Sequence, residues 1–236
     1  MKAQTSIDPK LISLLGRKLY TGNPVVICAR ELLQNSVDAC KRAGVDPEIS
    51  ITIKVEYSDP NNSWSPAKVR VICEDNGCGM SETELINDFL CLGGTSKKDS
   101  SSVGGFGIAK ASIMSGEYWS VDTLGCHTDI EDVISGEDVR RIPEREGTKV
   151  EVMFSLKYFR SWELDELYGI IYSSDVSITL SVTGMMGYSD YMDSHAGCNA
   201  DKALLHDRSL WKALASQKYA ANRYNLGGKV FIRLRS

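Results

Sequence analysis

Residues Ala29 to Lys41 read Ala-Arg-Glu-Leu-Leu-Gln-Asn-Ser-Val-Asp-Ala-Cys-Lys, and the fold turns on how this stretch is read. A helix turns about 100° per residue, so Asn35 and Asp38 fall within roughly 40° of Glu31. Val26, Ala29, Leu33 and Cys40 gather on the opposite side. The pattern predicts a helix with a buried back and a front of two carboxylates and an amide. Such a front is either a solvated surface or part of a site, and the helix alone does not decide. Its ends are well marked. Asn23 caps it, Pro24 suits its first position, and Gly44 stops it after Lys41 and Arg42, cations that favour the C-terminal dipole.

Upstream, Asp8 to Tyr20 predicts a short amphipathic helix capped by Asp8. Downstream, Ile49 to Tyr57 alternates apolar and polar residues and predicts a strand, as does Lys68 to Cys73. Glu74-Asp75-Asn76-Gly77-Cys78-Gly79-Met80-Ser81 follows. It fits a hairpin turn, or a tight strand-loop-helix junction carrying an acid. Ser81 with Glu84 forms a capping-box pattern, which favours the junction and predicts a helix over 82–91. Leu92 to Gly107 is rich in glycine and serine, as in a functional loop, and leads into a helix over 108–115. Gly104, Gly105 and Gly107 stand just before that helix, where free N–H groups suit an anion. No Walker-type pattern occurs.

Further on, 117–124 and 150–155 predict strands, and 125–146 a polar surface loop. Residues 161–173 have helical spacing, and 176–182 predict another strand. Asp207 to Asn222 resembles a capped helix, and Lys229 opens a last alternating strand. The sequence stops in that strand, so a piece of a longer protein is expected.

The chain has 236 residues, 42% apolar and 25% charged, an ordinary globular composition that allows one large domain or one and part of a second. A net charge of −4 gives no general reason to expect a nucleic-acid surface. Neither a signal-peptide core nor a run near ~18 apolar residues is present, so no membrane partner and a cytoplasmic location are expected. The seven cysteines include no Cys-x-x-Cys pair and the three histidines complete no zinc spacing, so reduced, packed thiols are expected.

Taken in order, the motifs resemble the GHKL ATPase superfamily, whose nucleotide domain has the Bergerat fold. They are Arg30 to Ala39, Asp75 to Ser81, Leu92 to Lys97, Gly104 to Ala109 and Gly147 to Val150. The likeness covers about residues 10–155 and is greatest to the Hsp90 nucleotide domain. It implies an α/β two-layer sandwich: a mixed, mostly antiparallel sheet, helices on one face, and an ATP lid. It implies an ATP-binding domain over 1–183 and a C-terminal extension over 184–236 that begins a transducer-like domain. The cofactors it implies are ATP and Mg²⁺.

The roles follow by the same resemblance. Glu31 is the general base that orients water, and Asn35 holds Mg²⁺. Asp75 accepts from the adenine amino group, with Thr148 beside it. Gly77 and Gly79 give the base room, Met80 packs against it, and Asp38 and Ala39 line the pocket. Gly104, Gly105, Phe106, Gly107 and Ile108 meet the phosphates, with Thr95, Ser96 and Lys97 as further contacts. Ala109 stands where the family lid often has a third glycine, and Lys110 where Hsp90-like chains have an aromatic residue. The resemblance implies ATPase activity, weak without a cation from a following domain, that drives a conformational switch with ATP or ADP bound. Its partners are a nucleotide-dependent second copy and a protein client reached through further domains. The alternatives are a DNA-transaction ATPase of the MutL, MORC or topoisomerase kind, and an interaction module with little hydrolysis.

Overall fold

The computed structural model describes residues 22–90, 108–164, 167, 178–185, 221–226 and 229–234. The opening helix, α1, spans Pro24–Ala43. The Asn23 side chain accepts from the Val25 N–H at its start, and Gly44 closes it in the left-handed conformation. Strands β1 (Ile49–Tyr57) and β2 (Ala67–Asp75) then form an antiparallel pair. Helix α2 (Glu82–Glu84) runs directly into a π turn, Leu85–Phe89. After it come α3 (Ile108–Ile113), β3 (Tyr118–Thr123), β4 (Cys126–Asp129), α4 (Ile130–Ser135), β5 (Arg140–Arg141) and β6 (Thr148–Leu156). A 3-10 turn, Ser161–Leu164, and β7 (Ile178–Thr183) follow.

The seven strands form one sheet in the order β5-β4-β3-β6-β2-β1-β7. Every pairing is antiparallel except β1 with β7. Alternation sets one face against the helices. Val182, Ile53, Val71, Val152 and Trp119 are successive partners across five strands, and all are buried. Burying a side chain of this size contributes roughly 1.5–3 kcal/mol, so this row anchors the layer on which α1 rests. The buried back of α1, with Val26, Ala29, Leu33 and Cys40, completes the core. The mixed, mostly antiparallel α/β sheet is the expected fold.

Several elements differ from expectation. The predicted helix over 82–91 keeps its capping box but tightens to one α turn before the π turn. The wider turn puts Leu85 and Phe89 together in the core, where Phe89 meets the edge of Trp119 at 6.4 Å between centroids. The loop expected over 125–146 instead holds β4, α4 and β5. A reciprocal capping box between Asp129 and Asp132 starts α4, and Gly136 ends it. With six residues, α4 is too short for a hydrophobic period to show in sequence.

Ala221–Leu226 forms β8, paired with β9 (Lys229–Leu234), although the helix expected from Asp207 would have run to Asn222. The β-pairing available to Ala221 and Asn222 overrides their weak helical pattern. The rest of that helix, the helix over 8–20 and most of the one over 161–173 lie outside the described residues. Among the described residues no helix is long and apolar enough to cross a membrane.

Candidate functional site

The site begins on α1. Glu31 and Asp38 are half-buried and Asn35 is exposed, on the face away from the core. Arg30 Nη2 lies 3.3 Å from Glu31 Oε1. One position past Asn35, Ser36 turns toward the sheet and is buried.

Asp75 ends β2 opposite Ile49 of β1. Its carboxylate is held from three sides. Ser36 Oγ donates to Oδ2 at 2.8 Å, while the Gly77 and Thr148 N–H groups donate to Oδ1 at 3.0 and 3.2 Å. A carboxylate oxygen has about two acceptor positions. Oδ1 is therefore filled, and Oδ2 keeps one direction for a further donor. Gly147 makes the approach possible: it has φ +63°, and a Cβ there would lie 1.9 Å from the Asp75 carbonyl oxygen.

The loop after Asp75 is pressed against α1 and β3. A Cβ on Gly77 would sit 2.6 Å from the Ala39 Cβ, and the Cys78 N–H reaches the Ala39 carbonyl at 3.3 Å. Gly79 has φ +63°, and the space of its missing Cβ is taken by the side chain of Leu124. Leu124 itself has φ 41°, unusual for a residue with a side chain. The Met80 N–H donates to Thr123 Oγ1 at 2.8 Å. Thr123 is fully buried, and its Oγ1 also lies 3.3 Å from Gly147 O and 3.2 Å from Thr148 Oγ1.

Among the expected site residues, Ala39, Asp75, Gly77, Gly79, Met80 and Thr148 thus converge on one floor beside α1. Glu31, Asn35 and Asp38 share the face of α1 described above. Ile108 begins α3, which packs on α1. Thr95, Ser96, Lys97, Gly104, Gly105, Phe106 and Gly107 lie outside the described residues. Two hydroxyls went unforeseen. Ser36 was signalled only by its place beside Asn35, and Thr123 by nothing before the pairing of β3 with β6 is known.

Three buried thiols near the floor, Cys28, Cys40 and Cys73, are poor nucleophiles. Burial pushes Cys73 up to about 12 and raises Cys28 further. Burial, then the nearby Asp75, also raises Cys40. The described cysteines are all free.

Elsewhere, His127, Asp129 and Asp132 bring potential ligand atoms within 4.8 Å of one another. Arg140 lies against both carboxylates and already offsets part of their charge, and His127 pairs with Asp122. That cluster is an ion-pair network that anchors β5 to the start of α4.

Residues 23–152 match the family model described as histidine kinase-, DNA gyrase B- and HSP90-like ATPase. The chain is 29% identical over 210 residues to the chaperone protein HtpG of Rickettsia massiliae (strain Mtu5), covering 70% of this chain and 32% of that protein. To the HtpG of Rickettsia akari (strain Hartford) it is 26% identical over 161 residues, covering 58% of this chain and 23% of the relative. The HtpG of Rickettsia bellii (strain OSU 85-389) is 32% identical over 123 residues, 42% of this chain and 18% of that protein. The chain thus spans less than a third of the length of these relatives. With its family match running from the cap of α1 through most of β6, the chain belongs to the histidine kinase-, DNA gyrase B- and HSP90-like ATPases.

Proposed function

We propose that this chain binds ATP with Mg²⁺ at the floor formed by Asp75 and Thr148 and hydrolyses it, using the nucleotide to switch conformation. The observation that carries this reading is the Asp75 carboxylate, fixed by Ser36, Gly77 and Thr148 with one acceptor direction left on Oδ2. An acceptor held in this way selects a donor such as an exocyclic amino group.

Glu31 serves as the base that orients and deprotonates water, and its half-buried carboxylate on α1 suits that task. The exposed Asn35 lies one turn further along the same face. Its amide oxygen is a hard donor of the kind Mg²⁺ takes together with phosphate oxygens and waters. Bound there, the ion would neutralise phosphate charge. Asp38 extends the polar wall. The similarity to HtpG supports a chaperone-like switch, with a second copy and a protein client as partners. The cation that speeds hydrolysis comes from a following domain.

Calorimetric titration of the chain with ATP and Mg²⁺ tests this. We expect saturable heat that Asp75→Asn removes, because its amide N–H₂ would face the donors that now converge on the carboxylate. No heat and no thermal shift at millimolar ATP would overturn the reading.

A further inference from the structure

Thr123 lies behind the floor, fully buried, and has no route to a ligand of its own. Yet its hydroxyl has three polar neighbours: the Met80 N–H at 2.8 Å, Gly147 O at 3.3 Å and Thr148 Oγ1 at 3.2 Å. A hydroxyl has one proton and two lone pairs. The Met80 N–H takes one lone pair. Gly147 O can only accept, whereas Thr148 Oγ1 can donate or accept.

We infer that Thr123 is a positioning residue that sets the polarity of the Thr148 hydroxyl and thereby the base selectivity of the site. Thr123 gives its proton to Gly147 O and receives the Thr148 proton on its second lone pair. All three neighbours are then satisfied at once. Thr148 is left with only lone pairs to present, beside a carboxylate that also only accepts. A floor with two acceptors and no donor favours a purine bearing an amino group and disfavours one bearing a carbonyl at the same position. Without the Thr123 oxygen, the Thr148 hydroxyl turns freely and can donate, so the penalty on the carbonyl falls. The Met80 N–H, which fixes the loop behind Gly79, also loses its acceptor.

This inference rests on the nucleotide reading above. Its test is the ratio of ATP to inosine triphosphate affinity, measured by calorimetry with Mg²⁺ on the whole chain. Thr123→Val keeps the shape and removes the hydroxyl. We expect it to weaken ATP binding and to shrink the ratio about tenfold, the scale of one buried hydrogen bond. Thr123→Ser restores the oxygen and should restore the ratio. Equal weakening of both nucleotides in Thr123→Val would mark a purely structural role and overturn the inference, as would an unchanged ratio. Should Thr123→Val not fold, Thr148→Val decides: it removes the hydroxyl that Thr123 directs, and a wild-type ratio in that variant overturns the inference. Absence of ATP binding by the wild-type chain would instead overturn the nucleotide reading itself.

Discussion

Ser36 Oγ lies 2.8 Å from Asp75 Oδ2 and 3.5 Å from Cys73 Sγ, so a single hydroxyl joins α1 to the end of β2. The contact is buried on the Ser36 side. It fixes the rotamer of the acid on which the proposed base recognition depends.

Ser36→Ala should therefore weaken ATP binding about three- to tenfold and lower stability by about 1.5–3 kcal/mol, the net worth of one hydrogen bond to a charged group. Calorimetry and urea unfolding read the two effects separately. Full retention of affinity would show that the two backbone donors hold Asp75 alone.

Glu31→Ala should leave ATP affinity within about threefold of wild type and remove turnover, since the base acts on water rather than on the bound nucleotide. The measurement is phosphate release from the longest form of the protein that hydrolyses ATP, alongside calorimetry. Normal turnover would place the base elsewhere.

Gly147→Ala should be among the most damaging single changes in the chain. The backbone has φ +63° there, and the new Cβ would overlap the Asp75 carbonyl oxygen. A shift of β6 away from β2 is the only relief. We expect a loss of at least 2–3 kcal/mol, drawn from strain and broken ladder bonds, measured by urea unfolding. Gly136→Ala has a similar φ of +70° but nothing within 4 Å, and should cost only about 1 kcal/mol.

Asp129 links stability to pH. Burial alone would raise its carboxyl. The Asp132 and Glu131 N–H groups, His127 and Arg140 outweigh burial and hold it below the ordinary range. A depressed folded-state value means that the stabilisation is present above the ordinary carboxyl value of about 4. It is lost as pH falls through the depressed value. Asp129→Ala should cost about 1–2 kcal/mol near neutrality, as for a lost helix cap. In melts from pH 7 down to pH 3, the gap to wild type should narrow with acidification. A constant gap would mean that the charge contributes nothing beyond shape.

Cys28 and Cys73 should resist iodoacetamide at pH 8 until denaturant is added, because burial holds both thiols neutral and out of reach. Mass spectrometry of labelled peptides reads this directly. Labelling of Cys73 in the native chain would show that the Asp75 loop opens.

Local signals carried much of the architecture. Asn23, Pro24 and Gly44 bounded α1 because caps depend on a few adjacent residues. The alternation in β1 and β2 was visible because one face of the sheet is buried. The contacts that depend on strand register were not visible. Thr123 meets Thr148 only because β3 pairs with β6, 25 residues away in sequence. The glycines show the same boundary. Gly77 and Gly79 look, in sequence, like room for a ligand. In the fold their missing Cβ atoms admit Ala39 and Leu124, so they first of all let the loop lie against its neighbours. Helix α4 escaped notice because its signal is a capping box of two aspartates, where a Ser or Thr with Glu is the more recognisable form.

The one parallel pairing among the described residues, β1 with β7, carries a kinetic consequence. Strands β1, β2, β3 and β6 can assemble by successive antiparallel neighbours, but Ile49–Lys54 waits for Ile178–Thr183, more than a hundred residues later. At synthesis rates of about 5–20 residues per second, that delay is on the order of ten seconds. Through it, the β1 edge, with Ile49, Ile51 and Ile53 on its apolar face, offers unpaired backbone to other chains. Closure by β7 thus covers the nine-residue β1 edge and leaves only the shorter β7 and the two-residue β5 at the ends of the described sheet.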